Sequence, residues 1–246
     1  KTTKATIFFT AYTRKPKQKD HQDEYRRQRP VTFAFNGGPG SSSVWLHMGL
    51  LGPRRVQMEP DGKMPPPPYE LVDNAYSLLD VTDLVFIDPV TTGFSRPVAG
   101  EDPKQFHDFK KDIKSVGDFI RLYVNRYKRW RSPKYLIGES YGTTRAAGLS
   151  DYLQERHGMF LNGIMLVSSV LNFQTARFIP GNDLPPLLFL PTYAATAWYH
   201  QKLPQEHQSK SLNELLLEVE AFALGDYNQA LMLGDALSED LRSEIV

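Results

Sequence analysis

The order of patterns along the chain predicts an α/β protein: a mostly parallel sheet followed by a helical subdomain. Strand-like and helix-like segments alternate through residue 171, the signature of parallel strands joined by covering helices. Val31-Thr32-Phe33-Ala34-Phe35 and Leu84-Val85-Phe86-Ile87 are apolar at nearly every position, as strands packed on both faces are. From Asn182 onward the pattern is helical. Residues 1–175 are therefore assigned to an α/β core and residues 176–246 to a helical cap or insertion subdomain.

Ala5–Tyr12, rich in Thr, Ile, Phe and Tyr, reads as a first strand. Arg14–Arg29 interleaves both charge signs and reads as a solvated hairpin loop. Pro30 introduces the central strand Val31–Phe35, and Pro65-Pro66-Pro67-Pro68-Tyr69 reads as a short polyproline II segment in a rigid surface loop. Asp102-Pro103 marks a helix start. Phe106, Phe109, Ile113, Val116, Ile120, Val124 and Tyr127 then form one apolar stripe on a long helix. Arg126, Lys128, Arg129 and Arg131 close that helix, where cations complement the macrodipole. Tyr135-Leu136-Ile137 and Gly163–Leu171 are further strands. In the tail, Leu187–His200 is helical, Ser211-Leu212-Asn213-Glu214 forms a capping box, and Gly225 and Gly234 are helix stops. Ser238–Val246 begins a helix with no stop signal, which suggests a truncated chain.

Composition narrows the function. Of 246 residues, 41% are hydrophobic and 23% charged, which excludes wholesale disorder. The 29 Lys and Arg nearly cancel the 28 Asp and Glu, so a nucleic-acid binder relying on bulk charge is disfavoured. No apolar run reaches the roughly 18 residues of a membrane span. The absence of cysteine removes a disulfide scaffold, a thiolate metal site and a Cys nucleophile together. No His-x-x-x-His or acidic ligand loop occurs, so neither metal nor cofactor is expected.

The most informative segment is Gly138-Glu139-Ser140-Tyr141-Gly142, between a strand run and the helix-forming Thr143–Leu149. A G-x-S-x-G turn at that junction is a nucleophile elbow: its sharpness demands glycine on both sides, and it lifts the serine hydroxyl clear of the sheet. Ser140 is therefore the candidate nucleophile. An elbow needs an oxyanion hole, one donor being the N–H of the residue after the nucleophile, here Tyr141. The other should come from a loop after an earlier strand, where Asn36-Gly37-Gly38-Pro39-Gly40-Ser41-Ser42-Ser43 stands. A phosphate cradle would require a following Lys or G-x-G-x-x-G spacing, and both are missing.

With Gly52-Pro53, Asn74-Ala75-Tyr76-Ser77 and Phe86-Ile87-Asp88-Pro89-Val90-Thr91-Thr92-Gly93-Phe94-Ser95, these motifs resemble the serine carboxypeptidases. The cysteine-free form resembles bacterial members. The resemblance implies an α/β-hydrolase fold with a helical insertion, and removal of a C-terminal residue from peptides through an acyl-enzyme on Ser140. It implies Gly38 and Tyr141 as oxyanion donors, and Asn36, Gly37 and Glu139 as substrate-binding residues. Asn36 and Glu139 would hold the free carboxylate of a peptide substrate. Two close anions repel, so Glu139 would share a proton with that carboxylate, and peptidase activity should improve at acidic pH. The resemblance also implies a secreted or periplasmic protein, although no signal peptide stands at Lys1-Thr2-Thr3-Lys4. Oligomeric state and residue preference are not legible.

Three departures stand out. Leu50 occupies the place of a second carboxylate-binding Glu, Ser41 that of a Cys, and Thr91 that of a Gly. The order Ser…Asp…His expected of this fold finds no convincing partners after Ser140. Asp183 with His200 or His207, and Asp151 with His157, have the order but follow no sheet strand. The acid and base are therefore expected beyond the end of this chain. The Leu50 departure keeps open an esterase, amidase or acyltransferase of the same fold, and the missing partners keep open a non-catalytic peptide-binding homologue.

Overall fold

In the computed structural model, residues 3–15 and 22–245 are described. The chain divides into two compact units, Lys1–Leu171 and Asn172–Val246.

The first unit is built on a five-stranded sheet. Its strands are β2 (Phe9–Tyr12), β3 (Val31–Phe35), β6 (Asp83–Ile87), β8 (Lys134–Glu139) and β9 (Gly163–Val167), in the order β2-β6-β3-β8-β9. All neighbours are parallel except β2, which pairs antiparallel to β6. The segment expected as one strand, Ala5–Tyr12, is thus two: β1 (Ala5–Thr6) pairs with β7 (Arg96–Pro97), and β2 joins the main sheet. A separate ribbon pairs β4 (Arg54–Val56) with β5 (Leu71–Asp73).

Alternate residues of the central strands face opposite cores. Val31, Phe33, Phe35, Val85, Ile87 and Leu136 pack against α3 (Phe109–Arg126) and α4 (Tyr141–His157) through Ile113, Val116, Ile120, Leu149 and Leu153. Ala34, Leu84, Phe86 and Ile137 point the other way, onto Leu46 and Leu51 of the turn that joins α2 (Val44–Leu46) to a π-helical His47–Leu51. Burial on both faces explains the unbroken apolar runs.

Two helical expectations shift. The residues read as a solvated loop include α1 (Gln22–Gln28), although 16–21 lie outside the described residues. Its sequence Gln-Asp-Glu-Tyr-Arg-Arg-Gln has acids first and cations last, the order a helix dipole favours. The long helix also begins later than Pro103. Asp102 caps only a 3-10 turn, Pro103–His107, and Asp108 caps α3 by accepting from the Lys111 N–H at 3.1 Å.

Arg129, read with its neighbours as a cation that complements the helix dipole, has a different role. It is 2% exposed and donates to Asp83 Oδ2 at 2.7 Å. Asp83, wholly buried at the start of β6, receives Arg29 Nε on Oδ1 at 2.8 Å. Arg129 also donates to the Arg29 carbonyl at 2.8 Å and to Ser132 Oγ at 2.7 Å. One carboxylate between two guanidinium forks fixes the amino ends of β3 and β6.

The second unit is helical: α5 (Leu184–Tyr199), α6 (Gln205–Gln208), α7 (Leu212–Leu224), α8 (Asp226–Leu233) and α9 (Glu239–Ile245). The Ser211/Glu214 capping box forms in full. Gly225 and Gly234 stand at the ends of α7 and α8. Trp198 Nε1 donates to the Lys210 carbonyl at 3.0 Å, tying the end of α5 to the start of α7.

Replacing Asp83 by Asn leaves two buried guanidinium groups uncompensated. Urea unfolding should show a loss of about 3–5 kcal/mol, typical of breaking a buried ion pair, with an unchanged m-value. An unchanged midpoint would show that the cluster contributes nothing.

Candidate active site

The site forms where β3 and β8 end side by side. Their register pairs Phe35 with Gly138, so Asn36 and Glu139 leave the sheet as neighbours. Ser140 then turns the chain into α4 with φ 57° and ψ −125°, a left-handed conformation rare for a residue with a side chain. The strain is held by backbone bonds: the Ser140 N–H donates to the Val167 carbonyl of β9 at 2.9 Å, and its carbonyl accepts from the Thr143 N–H at 2.9 Å. The Ser140 side chain makes no capping bond to α4, and its hydroxyl has no hydrogen-bond partner among the described residues. A β-carbon on Gly138 would lie 2.0 Å from the Gly142 carbonyl oxygen, and one on Gly142 would lie 2.8 Å from the Phe35 carbonyl oxygen. The G-x-S-x-G spacing is thus a packing requirement.

The glycine loop lies against this turn. A β-carbon on Gly37 would meet Tyr141 N at 2.5 Å and the Glu139 carbonyl at 2.7 Å. Gly38 has φ 109° and Gly40 φ 118°, backbone that only glycine adopts without cost. Asn36 is almost wholly buried and anchored three ways. Its Nδ2 donates to Glu139 Oε2 at 3.0 Å, its Oδ1 accepts from the Leu46 N–H at 3.0 Å, and its carbonyl accepts from Arg145 Nη1 at 2.6 Å. The structure therefore gathers Asn36, Gly37, Glu139 and Tyr141 around Ser140, with Gly38 next in the loop.

Arg145 and Asp112 were not anticipated. Arg145 Nε donates to Asp112 Oδ2 at 2.8 Å, and both side chains are buried. Burial, then the adjacent Asp112 carboxylate, push the Tyr141 hydroxyl up to about 12, so it stays a neutral phenol. A sequence signal existed for Asp112: it falls on the buried stripe of α3, three residues after Phe109 and four before Val116.

Other motifs prove architectural. Asn74 Nδ2 donates to the Leu50 and Gly52 carbonyls at 2.7 and 2.8 Å, and Ser77 Oγ to the Leu51 carbonyl at 2.8 Å. They lock the turn that carries Leu50, whose side chain is 48% exposed. Asp88 accepts the Ser43 N–H at 2.9 Å, and the Ser43 hydroxyl donates to the Ile87 carbonyl. Thr91 stands at φ 77°, which explains a glycine preference there.

Among the described residues of the first unit, His47 and His107 are engaged elsewhere. His47 Nε2 is 2.8 Å from the Tyr12 hydroxyl, and its ring stacks on Phe86. Burial holds the His47 pKa below its ordinary value, against an opposing pull from Asp88. His107 Nε2 is 2.9 Å from Thr91 Oγ1. His157 Nε2 lies 3.3 Å from Asp118 Oδ1, not at Asp151, but makes no hydrogen bond there. Asp183 and His200 flank opposite ends of the 16-residue α5, about 25 Å apart at 1.5 Å per residue, and cannot pair. Among the described residues no three His, Asp or Glu gather as metal ligands, and no helix is long and apolar enough to cross a membrane.

A strained serine at a strand–helix turn, faced by a glycine loop after a neighbouring parallel strand, is a serine-hydrolase arrangement in an α/β-hydrolase fold. The serine carboxypeptidase family matches residues 4–215, and the chain belongs to that family. Serine carboxypeptidase-like 34 of Arabidopsis thaliana is 30% identical over 161 residues, covering 60% of this chain and 30% of that protein. A carboxypeptidase Y homolog of Arthroderma benhamiae is 33% identical over 115 residues, covering 45% and 20%. The pheromone-processing carboxypeptidase KEX1 of Verticillium alfalfae is 28% identical over 138 residues, covering 54% and 19%. The chain thus spans at most about a third of the length of these relatives.

Gly37→Ala should force the loop off the elbow and slow phosphonylation of Ser140 by a fluorophosphonate about 10²–10³-fold, the usual weight of an oxyanion donor. A rate within threefold of wild type would show that the loop takes no part. Thr91→Gly should raise stability by up to about 1 kcal/mol, relief of left-handed strain exceeding the added unfolded-state entropy. A fall in melting temperature would show that the Thr91–His107 bond outweighs that strain.

Proposed function

We propose that this chain carries the nucleophile and oxyanion hole of a serine hydrolase that transfers acyl groups through Ser140. The single observation behind this is the free Ser140 hydroxyl at φ 57° above the N-terminus of α4, with Gly37 against Tyr141 N. Ser140 Oγ attacks the substrate carbonyl, and the N–H groups of Tyr141 and Gly38 receive the developing oxyanion. Collapse of the tetrahedral intermediate expels the alcohol or amine and leaves the acyl-enzyme, which water or another acceptor resolves. A base must take the serine proton and an acid must orient that base; neither His47 nor His107 is placed to do so.

The half-exposed Leu50 favours an esterase or acyltransferase, because a carboxylate-binding Glu is replaced by an apolar side chain. A specific observation favours a second reading, the serine-type carboxypeptidase: the 3.0 Å Asn36–Glu139 pair beside Ser140, suited to holding the free carboxylate of a peptide.

The test uses the whole natural polypeptide. A fluorophosphonate should label the wild type and not Ser140→Ala; equal labelling of both would overturn the nucleophile assignment. A matched peptide pair, free acid and C-terminal amide, then separates the readings. Cleavage of the free acid alone, improving toward acidic pH, selects the carboxypeptidase. Ester turnover without a requirement for a free carboxylate selects the acyltransferase or esterase.

A further inference from the structure

Arg145 is among the largest fully buried side chains of the described residues, and the chemistry above gives it no task. Packing alone does not call for it, since an apolar side chain of similar volume fills such a space without a charge to compensate. Its contacts are selective. Nε donates to Asp112 Oδ2 at 2.8 Å and Nη1 to the Asn36 carbonyl at 2.6 Å. The guanidinium carbon lies 5.2 Å from the Tyr141 ring centroid and 5.4 Å from that of Phe35. One planar group thus touches the root of the glycine loop and the residue after the nucleophile.

We propose that Arg145, oriented by Asp112, is a positioning residue for the oxyanion hole. The peptide unit is planar, so holding the Asn36 carbonyl fixes the plane from which Gly37 and Gly38 depart. Neither glycine has a side chain to hold itself, and their conformational freedom is the weakness that such a brace removes. Packing on the Tyr141 ring holds the other donor. Asp112 neutralises the guanidinium and sets its rotation through Nε, leaving Nη1 aimed at the loop. A lysine cannot copy this, because a single ammonium lacks two rigidly spaced donors. The inference rests on the Ser140 acyl-transfer reading and adds a residue to it.

Arg145→Met, Arg145→Lys and Asp112→Asn are made in the whole natural polypeptide and assayed with p-nitrophenyl acetate. Two isosteric ligands complete the test: phenylboronate, which forms a tetrahedral adduct with the serine, and benzoate, which does not. Arg145→Met and Arg145→Lys should lower kcat/KM and phenylboronate affinity in parallel, about 10- to 100-fold, part of the weight of an oxyanion donor. Benzoate affinity should stay within twofold, and Asp112→Asn should show the same pattern more weakly. A merely structural brace would lower all three quantities together, or none, and either result overturns the proposal. If Arg145→Met does not fold, the Lys and Asn variants carry the comparison. Absence of fluorophosphonate labelling at Ser140 in the wild type would remove the acyl-transfer reading itself, a failure distinct from wild-type-like kinetics in the variants.

Discussion

At the carboxyl ends of β3 and β8, two backbones approach so closely that no β-carbon fits between them. Gly37 and Gly142 each face a main-chain atom of the opposite segment closer than 3 Å to where their β-carbon would stand, while Gly138 faces Gly142 across the elbow itself. Much of the site follows from that contact. It brings Asn36 beside Glu139, turns Ser140 into a left-handed conformation and lays the glycine loop over the first N–H groups of α4. Parallel pairing is what makes the contact possible, since it delivers both strands to the same edge of the sheet. The antiparallel β2 stays at the periphery and contributes nothing there.

Two buried carboxylates brace this arrangement, one at each end of the sheet. Asp83 sits at the amino end between Arg29 and Arg129, and Asp112 at the carboxyl end with Arg145. Each is met by guanidinium, whose spaced donors satisfy a carboxylate and a nearby carbonyl at once. The consequences differ with position. Around Asp83 the carbonyls belong to Arg29 and Pro30, so the cluster clamps the entry to β3. Around Asp112 the carbonyl belongs to Asn36, the last residue before the glycine loop, so the same chemistry bears on a part of the molecule where tenths of an ångström matter.

Strands, sheet class and elbow were legible because each has a local signature: apolar runs for strands buried on both faces, fixed glycine spacing for the turn. What escaped was mostly charge in unexpected places. Arg129 read as a cation complementing the helix dipole, and Asp112 and Arg145 received no role. A periodicity argument sends charged side chains to solvent unless a partner is known, and these partners lie 46 and 33 residues away in sequence. The start of α3 was misplaced because Asp102-Pro103 is a genuine cap signal that here serves a 3-10 turn, while a second cap at Asp108 opens the helix. Thr91 had no derivable meaning until its φ of 77° was known.

The electrostatics of the Asn36–Glu139 pair bear on what such a site could accept. The Asn36 carbonyl and Oδ1 are already engaged by Arg145 and the Leu46 N–H, and its Nδ2 serves Glu139. Asn36 Nδ2 keeps one N–H to offer, and Glu139 keeps its second carboxylate oxygen. A substrate carboxylate arriving there meets another anion unless a proton lies between them. Where a second glutamate would have offered another place for that proton, Leu50 offers none. Recognition of a free C-terminus would then hinge on a single shared proton, and so on pH, whereas transfer from a neutral ester asks nothing of Glu139 beyond its bond to Asn36. On the proposed acyl-transfer reading, a leucine at position 50 would shift the balance between the two chemistries without touching Ser140, the glycine loop or the brace behind them.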